Sequence, residues 1–347
     1  MAAIQSQEGQ VGFKTQAAAG TYLDPGAAAP NDGYFVPIQS GSLAGQVDLL
    51  TPDAEIGGNR DIADAVRGPI SFAGTYDWYS RWKALAFFFK AGLGSVATVT
   101  AGTTEGTDLI GTHTITPIDT GELPFVSIEE AIGGSLEVFN YTDAKLNELH
   151  LEADADGFFM GNSSWIAKTQ TSGNTKTAAP RWDTTPLTIG TQIDITIGGS
   201  TFCVRDFSFD LSNNLEDGVF CLGSDTVSTI TEKRRDVTMS MTVRPENINL
   251  WKQAVYGSTV ATSHTSGLAV KQAVVVTITS SEDLGTGLVG TKFSATLTFP
   301  QVAIEPFELE PSGDDVLEWG LDLRALRPDP AVGIMTAVVV NDDDVVA

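Results

Sequence analysis

The fold class is decided by residues 193–211, which read IDITIGGSTFCVRDFSFDL. Isoleucine occupies every second position of 193–197, and Phe or Leu occupies every second position of 207–211, with polar residues between them. Because alternate side chains of a strand point to opposite faces, a period of two is typical of a half-buried strand. The glycine pair at 198–199 is typical of a tight turn. The stretch therefore predicts an antiparallel hairpin with one apolar face and one polar face.

The same alternation recurs in 237–243 and in 293–299. Over the whole chain, 42% of the residues are hydrophobic and 18% are charged, a balance that argues against intrinsic disorder. A length of 347 residues allows two domains of ordinary size, each with its own core. We therefore predict a mainly β protein with room for two domains.

Two segments show the period of an amphipathic helix instead. The first is predicted from Asp77 to Lys90, and the second from Pro245, which suits a first helical turn, to Gly257. The residues predicted to face inward are Trp78, Trp82, Leu85 and Phe89 in the first helix and Ile248, Trp251 and Val255 in the second.

The two predicted helices belong to an internal repeat. Trp82 aligns with Trp251 and Ser71 with Ser240 at one offset, 251 − 82 = 169 and 240 − 71 = 169. Each helix follows a strand, and each strand follows a long polar loop, so we predict two copies of one unit. The predicted divisions are an N-terminal arm at 1–35, a first domain at 36–168, a linker at 169–190, a second domain at 191–330, and a C-terminal strand with an acidic tail at 331–347.

The net charge of −24, with a pI near 4.2, limits the partners. Twenty basic residues against 44 acidic ones cannot easily form the Lys/Arg surface that grips nucleic-acid phosphates or anionic membranes. The chain opens without the basic and apolar regions of a signal peptide, and its most apolar run, 84–91, is too short to cross a bilayer. We therefore expect synthesis in the cytoplasm and no membrane association.

The sequence offers little that resembles an active site. His113, His150 and His264 are far apart and lack metal-ligand spacing. The Gly-x-Gly-x-x-Gly spacing at 285–290 leads into a predicted strand, whereas a phosphate cradle leads into a helix. Carboxylates are abundant, so the sequence does not exclude a glycosidase-like pair, which no local motif would distinguish. We predict that the protein is not an enzyme and needs no metal and no cofactor.

Two further features concern burial. Cys203 and Cys221 lie in apolar runs, and we interpret both as small core residues and not as a disulfide framework. The acidic tail at 342–344 follows the apolar run 337–340. It is either a solvated terminus, the interpretation we favour, or the end of an edge strand whose charges limit further pairing.

Three stretches carry a family resemblance: the strand 70–73 with the helix at 78–90, the segment 207–216 (FSFDLSNNLE), and 229–249. Together with the order of elements from Tyr34 to Arg327, they resemble the tail tube proteins (major tail proteins) of long, non-contractile-tailed bacteriophages of the tandem-domain type. The resemblance implies two tandem antiparallel β-sandwich domains, each with two sheets packed with one helix. It also implies a β-barrel lumen shared around a pseudo-six-fold ring of three chains, with rings stacked into a tube.

In that family a long loop after the early strands reaches the adjacent ring, which implies inter-ring loops at 51–67 and 212–235. Mixed charges in these loops suit paired contacts between rings. The residues implied in these contacts are Asp53, Glu55, Arg60, Asp61, Arg67, Glu216, Asp217, Asp225, Glu232, Lys233, Arg234 and Arg235. Three chains carry 3 × (−24) = −72 charges per ring, and a lumen lined by part of that charge would repel DNA. The lumen candidates are Asp194 and Asp210.

The resemblance implies a structural protein of the virion tail that guides viral DNA into the host cell. Its implied partners are further copies of itself, the tape-measure protein, and the tail terminator and distal tail proteins, while DNA passes without specific binding. Two alternatives stay open. A capsid-decorating or surface-layer protein would give isolated oligomers or sheets and not hollow tubes. A tandem carbohydrate-binding β-sandwich would stay monomeric and bind glycans through exposed aromatic residues.

Overall fold

Strands dominate the computed structural model of the chain, as the alternating stretches predict. It describes residues 6–26, 33–53, 61, 64–101, 110–134, 136–216, 218–264, 270–284, 290–309, 316–329, 332–343 and 346. The strands are β1 (Gln10–Thr15), β2 (Tyr34–Phe35), β3 (Ile38–Leu50), β4 (Val66–Tyr79), β5 (Gly94–Ala101), β6 (Ile110–Pro117), β7 (Val126–Ile132), β8 (Glu137–Asp154), β9 (Met160–Ala167), β10 (Thr169–Thr171), β11 (Ile193–Ile197), β12 (Ser200–Thr201), β13 (Cys203–Ser212), β14 (Asp236–Arg244), β15 (Lys271–Asp283), β16 (Lys292–Ile304), β17 (Trp319–Ala325) and β18 (Thr336–Asn341). The α-helices in these ranges are α1 (Trp82–Leu93) and α2 (Asn249–Tyr256). The prediction of a mainly β, antiparallel protein is confirmed.

Eight strands form one continuous antiparallel sheet, here termed the long sheet, in the order β3-β4-β9-β8-β13-β14-β17-β16. Its middle is the seam between β8 and β13, where the pairing runs from Asp154 opposite Asp206 to Glu148 opposite Ser212. Because β8 belongs to the N-terminal half of the chain and β13 to the C-terminal half, the seam joins the two halves into one surface.

A second layer of strands continues from β8 and β16, which are long enough to belong to both layers. In the N-terminal half this layer contains β2, β1, β7 and β10, and in the C-terminal half β12, β11, β15 and β18. The pairings correspond between the halves: β1–β7 to β11–β15, β4–β9 to β14–β17, and β8–β10 to β16–β18. The N-terminal half has an additional hairpin, β5–β6, and β6 pairs with β18.

Helix α1 lies inside the core. Its three consecutive phenylalanines, Phe87, Phe88 and Phe89, are at most 1% exposed. Phe88 packs on Trp78 of β4, with ring centroids 4.5 Å apart, and Phe89 packs on Phe209 of β13 at 6.0 Å. A helix that is apolar on nearly every side must be covered on nearly every side. Strands from both halves provide this cover, so the two halves share one core.

Three elements differ from the sequence predictions. The predicted turn at 198–199 is present, and β11 and β12 pair across it at two positions. The predicted return strand over 207–211 is wrong, because β13 pairs with β8 and β14 and not with β11. Helix α1 begins at Trp82, because Asp77 and its neighbours continue β4. In α2 the buried residue is Leu250, whereas Ile248 is 40% exposed.

The predicted N-terminal arm contains a strand of the sheet. β1 pairs with β7 over its full length and is almost entirely buried. Phe13 of β1 is fully buried and stacks on Trp165 at 5.5 Å. The interpretation of Cys203 and Cys221 as core residues is wrong as well, because both are exposed, whereas both are free cysteines, as predicted. Around β1, Cys203 and Cys221, the local sequence does not indicate whether a neighbouring strand covers the side chains.

The C-terminal strand is an interior strand. β18 lies between β16 and β6, so it does not form a sheet edge. Beyond it, Asp343 is 5% exposed and accepts hydrogen bonds from the Tyr34 hydroxyl and from Arg181 Nη2, the latter at 2.9 Å. Asp342 pairs with Lys83 at 3.0 Å. The favoured prediction of a solvated terminus is therefore wrong for Asp343. The local sequence does not indicate its partners, Tyr34 and Arg181, because they are distant in the chain.

Replacement of Asp343 by alanine will destabilise the fold, because it removes an acceptor that Tyr34 and Arg181 share in a buried place. We expect the free energy of unfolding to fall by about 2 kcal/mol, measured by urea denaturation. Asp342→Ala is the matched control, since its ion pair with Lys83 is more exposed and should contribute less than about 1 kcal/mol. Equal losses in both variants would contradict a buried anchor at Asp343.

Candidate functional site

The long sheet has one face turned to the core and one polar face turned away from it. On β13, every second residue from Phe207 to Leu211 is buried, whereas Ser208 and Asp210 between them point to the polar face. On β14, every second residue from Val237 to Val243 is buried in the same way. The alternation that the sequence predicts for these strands therefore defines a surface shared by both halves of the chain.

One row of the polar face crosses all eight strands. The register places side by side Ser40, Asp77, Asn162, His150, Asp210, Thr238, Arg324 and Ala303. Near one end of the row, Ser40 Oγ and Asn162 Nδ2 each donate a hydrogen bond of 2.5 Å to the Asp77 carboxylate. These two hydrogen bonds lower the pKa of Asp77, so its charged form is favoured.

At the seam, the row places a histidine between two carboxylates. His150 Nδ1 lies 2.6 Å from Asp210 Oδ1, and His150 Nε2 lies 3.5 Å from Glu152 Oε2. The hydrogen bond with Asp210 raises the pKa of His150 above its ordinary value of 6.5, and Glu152 adds to this shift against the opposing effect of partial burial. The seam therefore favours the imidazolium form of His150.

The pKa of His150 tests the geometry of the seam. We expect a nuclear magnetic resonance titration to give a pKa above 6.5 in the folded protein, and Asp210→Asn to lower that pKa. Because the folded-state pKa is raised, the contact stabilises the fold below pH 6.5, and this contribution is lost as the pH rises through the folded-state pKa. Asp194→Asn is the control. An unchanged pKa in Asp210→Asn would show that the contact is absent.

The polar face is acidic. Carboxylates at polar-face positions of the described strands are Asp77, Glu148, Glu152, Asp154, Asp206, Asp210, Asp236 and Asp322. They outnumber the arginines at such positions, Arg67, Arg244 and Arg324. A surface with this excess of one sign repels anions such as phosphate groups.

The two lumen candidates lie in different layers. Asp210 is exposed at the centre of the polar face. Asp194 is exposed too, but it lies on β11 of the second layer, opposite Thr277 of β15. The structure therefore groups Asp210 with residues that the sequence analysis did not single out, such as Glu152 and Asp206. Their alternation with buried neighbours is the sequence signal that could have found them.

The connection between β13 and β14, residues 213–235, packs against its own chain. Val227 is fully buried and Ile230 is 6% exposed, and both belong to a hydrophobic cluster with Ile166 of β9. The Ile70 N–H of β4 donates to the Asp225 carbonyl at 2.8 Å. This connection of the C-terminal half therefore covers one end of the long sheet, next to the N-terminal strands β4 and β9.

A buried lysine holds this connection. Lys145 of β8 is 1% exposed, and its Nζ donates to Glu232 Oε1 at 2.8 Å and to the Ile230 carbonyl at 2.9 Å. Partial burial acts to raise the pKa of Glu232, but hydrogen bonds from Lys145 and from the Leu123 N–H outweigh it and lower the pKa. Glu232 is one of the residues that the family resemblance implies in inter-ring contacts, whereas its partner Lys145 is not among them.

The other residues implied in inter-ring contacts lie mostly at the surface. Lys233 lies 3.5 Å from Glu216, and Arg234 lies 2.7 Å from Asp236. Arg235 is partly buried, and this burial lowers its pKa. Asp53, Asp61, Arg67 and Asp225 are exposed, while Glu55, Arg60 and Asp217 lie outside the described residues.

The described part of the chain has no grouping of three or more His, Cys, Asp and Glu side chains that could hold a metal ion. In the same ranges, no helix is long and apolar enough to span a membrane. The chain's distinctive features are a continuous acidic β-surface and, at its end, the strand β3. These features define a class of protein that presents an extended sheet as a surface.

Comparison with known families agrees with this class. The family model described as phage tail tube protein matches residues 6–316, which is most of the chain. The chain belongs to the phage tail tube family, whose structural members assemble with themselves and with other tail proteins into the tube of the virion tail. No curated protein matches the sequence. The resemblance found in the sequence and the location in the virion tail are therefore confirmed.

Proposed function

We propose that three copies of this chain close into a ring through the free edge of β3, and that such rings stack into a tube that conducts viral DNA during ejection. The proposal rests on one observation: the equivalent strands β3 and β13 differ in how many neighbouring strands they have. β13 is paired on both sides, with β14 and with β8. β3 holds the same place beside β4, but within the described ranges it pairs with β4 alone.

The equivalence of β3 and β13 follows if the chain contains two copies of one unit. Seven strand pairings in the N-terminal half have counterparts in the C-terminal half, and in both halves a helix follows the second strand of the long sheet. The sequence offset of 169 aligns one strand and the helix of this unit, β4 with β14 and α1 with α2. Three such chains would supply six equivalent units to a ring.

The edge of β3 is suited to pairing with another chain. The strand spans 13 residues, most of them exposed, and carries no lysine and no proline, which commonly protect free edges. The Leu43 N–H points away from β4 and donates to Glu130 Oε2 at 3.1 Å, and the Tyr141 hydroxyl donates to the Leu43 carbonyl, so the chain itself covers the edge at this position. Every second backbone N–H from Leu43 to Val47 has the same outward direction, and the exposed stretch 44–50 is where a further strand would pair.

Repetition of the β8–β13 seam between chains would make a head-to-tail contact, which produces a ring when the rotation closes. Three chains with eight strands each would form a barrel of 3 × 8 = 24 strands. Closure would also remove the exposed sheet edges that otherwise promote uncontrolled association.

In this ring the polar face of the long sheet lines the lumen, because the other face is covered by the core. Its carboxylates repel DNA phosphates, so DNA slides through without specific binding. This role is structural and needs no catalytic group or cofactor. The tape-measure protein would fill the lumen before the DNA, and the tail terminator and distal tail proteins would bind the ends of the tube.

The loops at 51–67 and 212–235 are proposed to contact the adjacent ring. The second loop is held to its own chain by Lys145, so its outward contacts would come from exposed residues such as Lys233 and Arg234. Such charged contacts at the rim of an interface set register and orientation more than affinity.

Charge reversal on the polar face tests the lumen. We expect assembled tubes of the double variant Glu152→Lys, Asp210→Lys to retain short duplex DNA in co-sedimentation, whereas wild-type tubes leave it in solution. The matched control is Asp194→Lys, Glu282→Lys, which makes the same change at exposed positions of the second layer. Equal retention by the two double variants would contradict the assignment of the polar face to the lumen.

A further inference from the structure

A groove of about 610 Å³ opens between the start of β1 and the start of β3, beside the free edge of the long sheet. We term it the β1–β3 groove. Its lining includes Val11, Ile38, Ile132 and Trp182. Ile132 is 42% exposed and Trp182 is 38% exposed, so apolar side chains in this groove face water. Adjacent exposed apolar residues of this size are typical of a protein contact surface.

The one acidic residue of the lining, Glu130, is already paired. It is 4% exposed, and its Oε2 accepts hydrogen bonds from the Leu43 N–H at 3.1 Å and from the Tyr76 hydroxyl at 2.9 Å. A carboxylate satisfied in this way does not require a cation or a polar ligand. The accessible part of the groove therefore favours an apolar segment of a protein chain.

The corresponding place in the C-terminal half is filled by the chain itself. Between the starts of β11 and β13, only about 30 Å³ remains open. The end of β8 and the turn that follows it, 153–155, occupy the rest, and the Ala155 N–H donates to the Arg205 carbonyl at 2.8 Å. The connection between β8 and β9, in the N-terminal half, thus fills the groove of the C-terminal half.

We propose that the β1–β3 groove binds the connection between β16 and β17, residues 305–318, of a second copy of this chain. β16 and β17 hold in the C-terminal half the place that β8 and β9 hold in the N-terminal half. Where this connection is described, Val316 is 63% exposed and Leu317 is 38% exposed, which matches the apolar Ile132 and Trp182. The proposal rests on the ring proposed above, in which the connection of one unit lies against the groove of the next unit.

A charge placed in the groove tests the contact. Ile132→Glu sets a carboxylate opposite a connection that itself carries Glu308 and Glu318. We expect at least a ten-fold weaker association of chains in sedimentation velocity, with an unchanged thermal transition of the single chain, because Ile132 is exposed there. Val99→Glu is the matched control, since Val99 is 67% exposed on β5 and outside the groove. If both variants associate equally, the groove is not an interface.

Disulfide trapping identifies the occupant. In a Cys203→Ser, Cys221→Ser background, we expect Ile132→Cys combined with Val316→Cys to give covalent dimers and trimers on oxidation of assembled protein. Val99→Cys combined with Val316→Cys should stay uncross-linked. Tubes that form without the expected cross-links would overturn the groove proposal and leave the proposed tube intact. A wild-type chain that never forms rings or tubes would overturn the proposed function and the groove proposal with it.

Discussion

The variant Val47→Pro will remain a folded single chain and will not assemble. Val47 lies opposite Ile70 in the β3–β4 pairing, and the Ile70 N–H donates to the Asp225 carbonyl and not to β3. Antiparallel strands alternate between hydrogen-bonded and non-hydrogen-bonded pairs, so this pair is of the second kind. Leu43, four positions earlier, follows the same pattern, because its N–H donates to Glu130. The Val47 N–H therefore points to the free edge.

Proline has no N–H, and its ring blocks the approach of another strand, yet at this position it removes no hydrogen bond to β4. We expect the free energy of unfolding to stay within about 1 kcal/mol of the wild type. The concentration required for assembly should rise about a hundred-fold or more, which corresponds to about 2.7 kcal/mol. Val47→Ala keeps the N–H and should assemble as the wild type does. Tubes of Val47→Pro at wild-type concentrations would contradict pairing through β3.

The largest loss of stability is expected for Lys145→Met. Lys145 is 1% exposed and binds both the Glu232 carboxylate and the Ile230 carbonyl. Methionine has a similar length, but it leaves Glu232 partly buried without its cation. We expect the free energy of unfolding to fall by about 3 kcal/mol, measured by urea denaturation, because removal of one partner of a buried ion pair is costly. Hydrogen exchange should also accelerate in residues 218–235.

Lys233→Met is the matched control for this variant. Lys233 belongs to the same connection, but it is 55% exposed and lies 3.5 Å from Glu216, so its loss should change stability by less than about 0.5 kcal/mol. Because the pKa of Glu232 lies below its ordinary value of 4.5, the Lys145 contact stabilises the fold above that pH and is lost as the pH falls through the lower, folded-state pKa. The difference between wild type and Lys145→Met should therefore narrow in acid. Equal stabilities of the two methionine variants at neutral pH would contradict a structural role for Lys145.

The strands and the polar face could be predicted from the sequence because their signal is local. A half-buried strand such as 207–211 or 237–243 shows its period whatever its neighbours are. Which strand or helix such a strand packs against depends on contacts between residues distant in the sequence. The apolar residues of 207–211 could pack against β11 as well as against helix α1, and only the shared core, through contacts such as Phe89 with Phe209, selects the second arrangement.

Residues whose surroundings depend on distant contacts escaped the sequence analysis. Lysine is almost never buried unless it is paired, and the partner of Lys145 lies 87 residues later in the chain. Asp343 is buried because Tyr34 and Arg181 approach it from other parts of the fold. Asp194 and Asp210 share the same alternating pattern, so the sequence could not separate the layer of one from the layer of the other.

Electron cryomicroscopy of the assembled wild-type protein shows directly whether the chains pair through the β3 edge. We expect a hollow tube with three chains in each ring, in which the β3 edge of every chain pairs with the next chain and the polar face of the long sheet lines the lumen. An assembly in which the β3 edges stay unpaired and the polar face points outward would contradict this expectation.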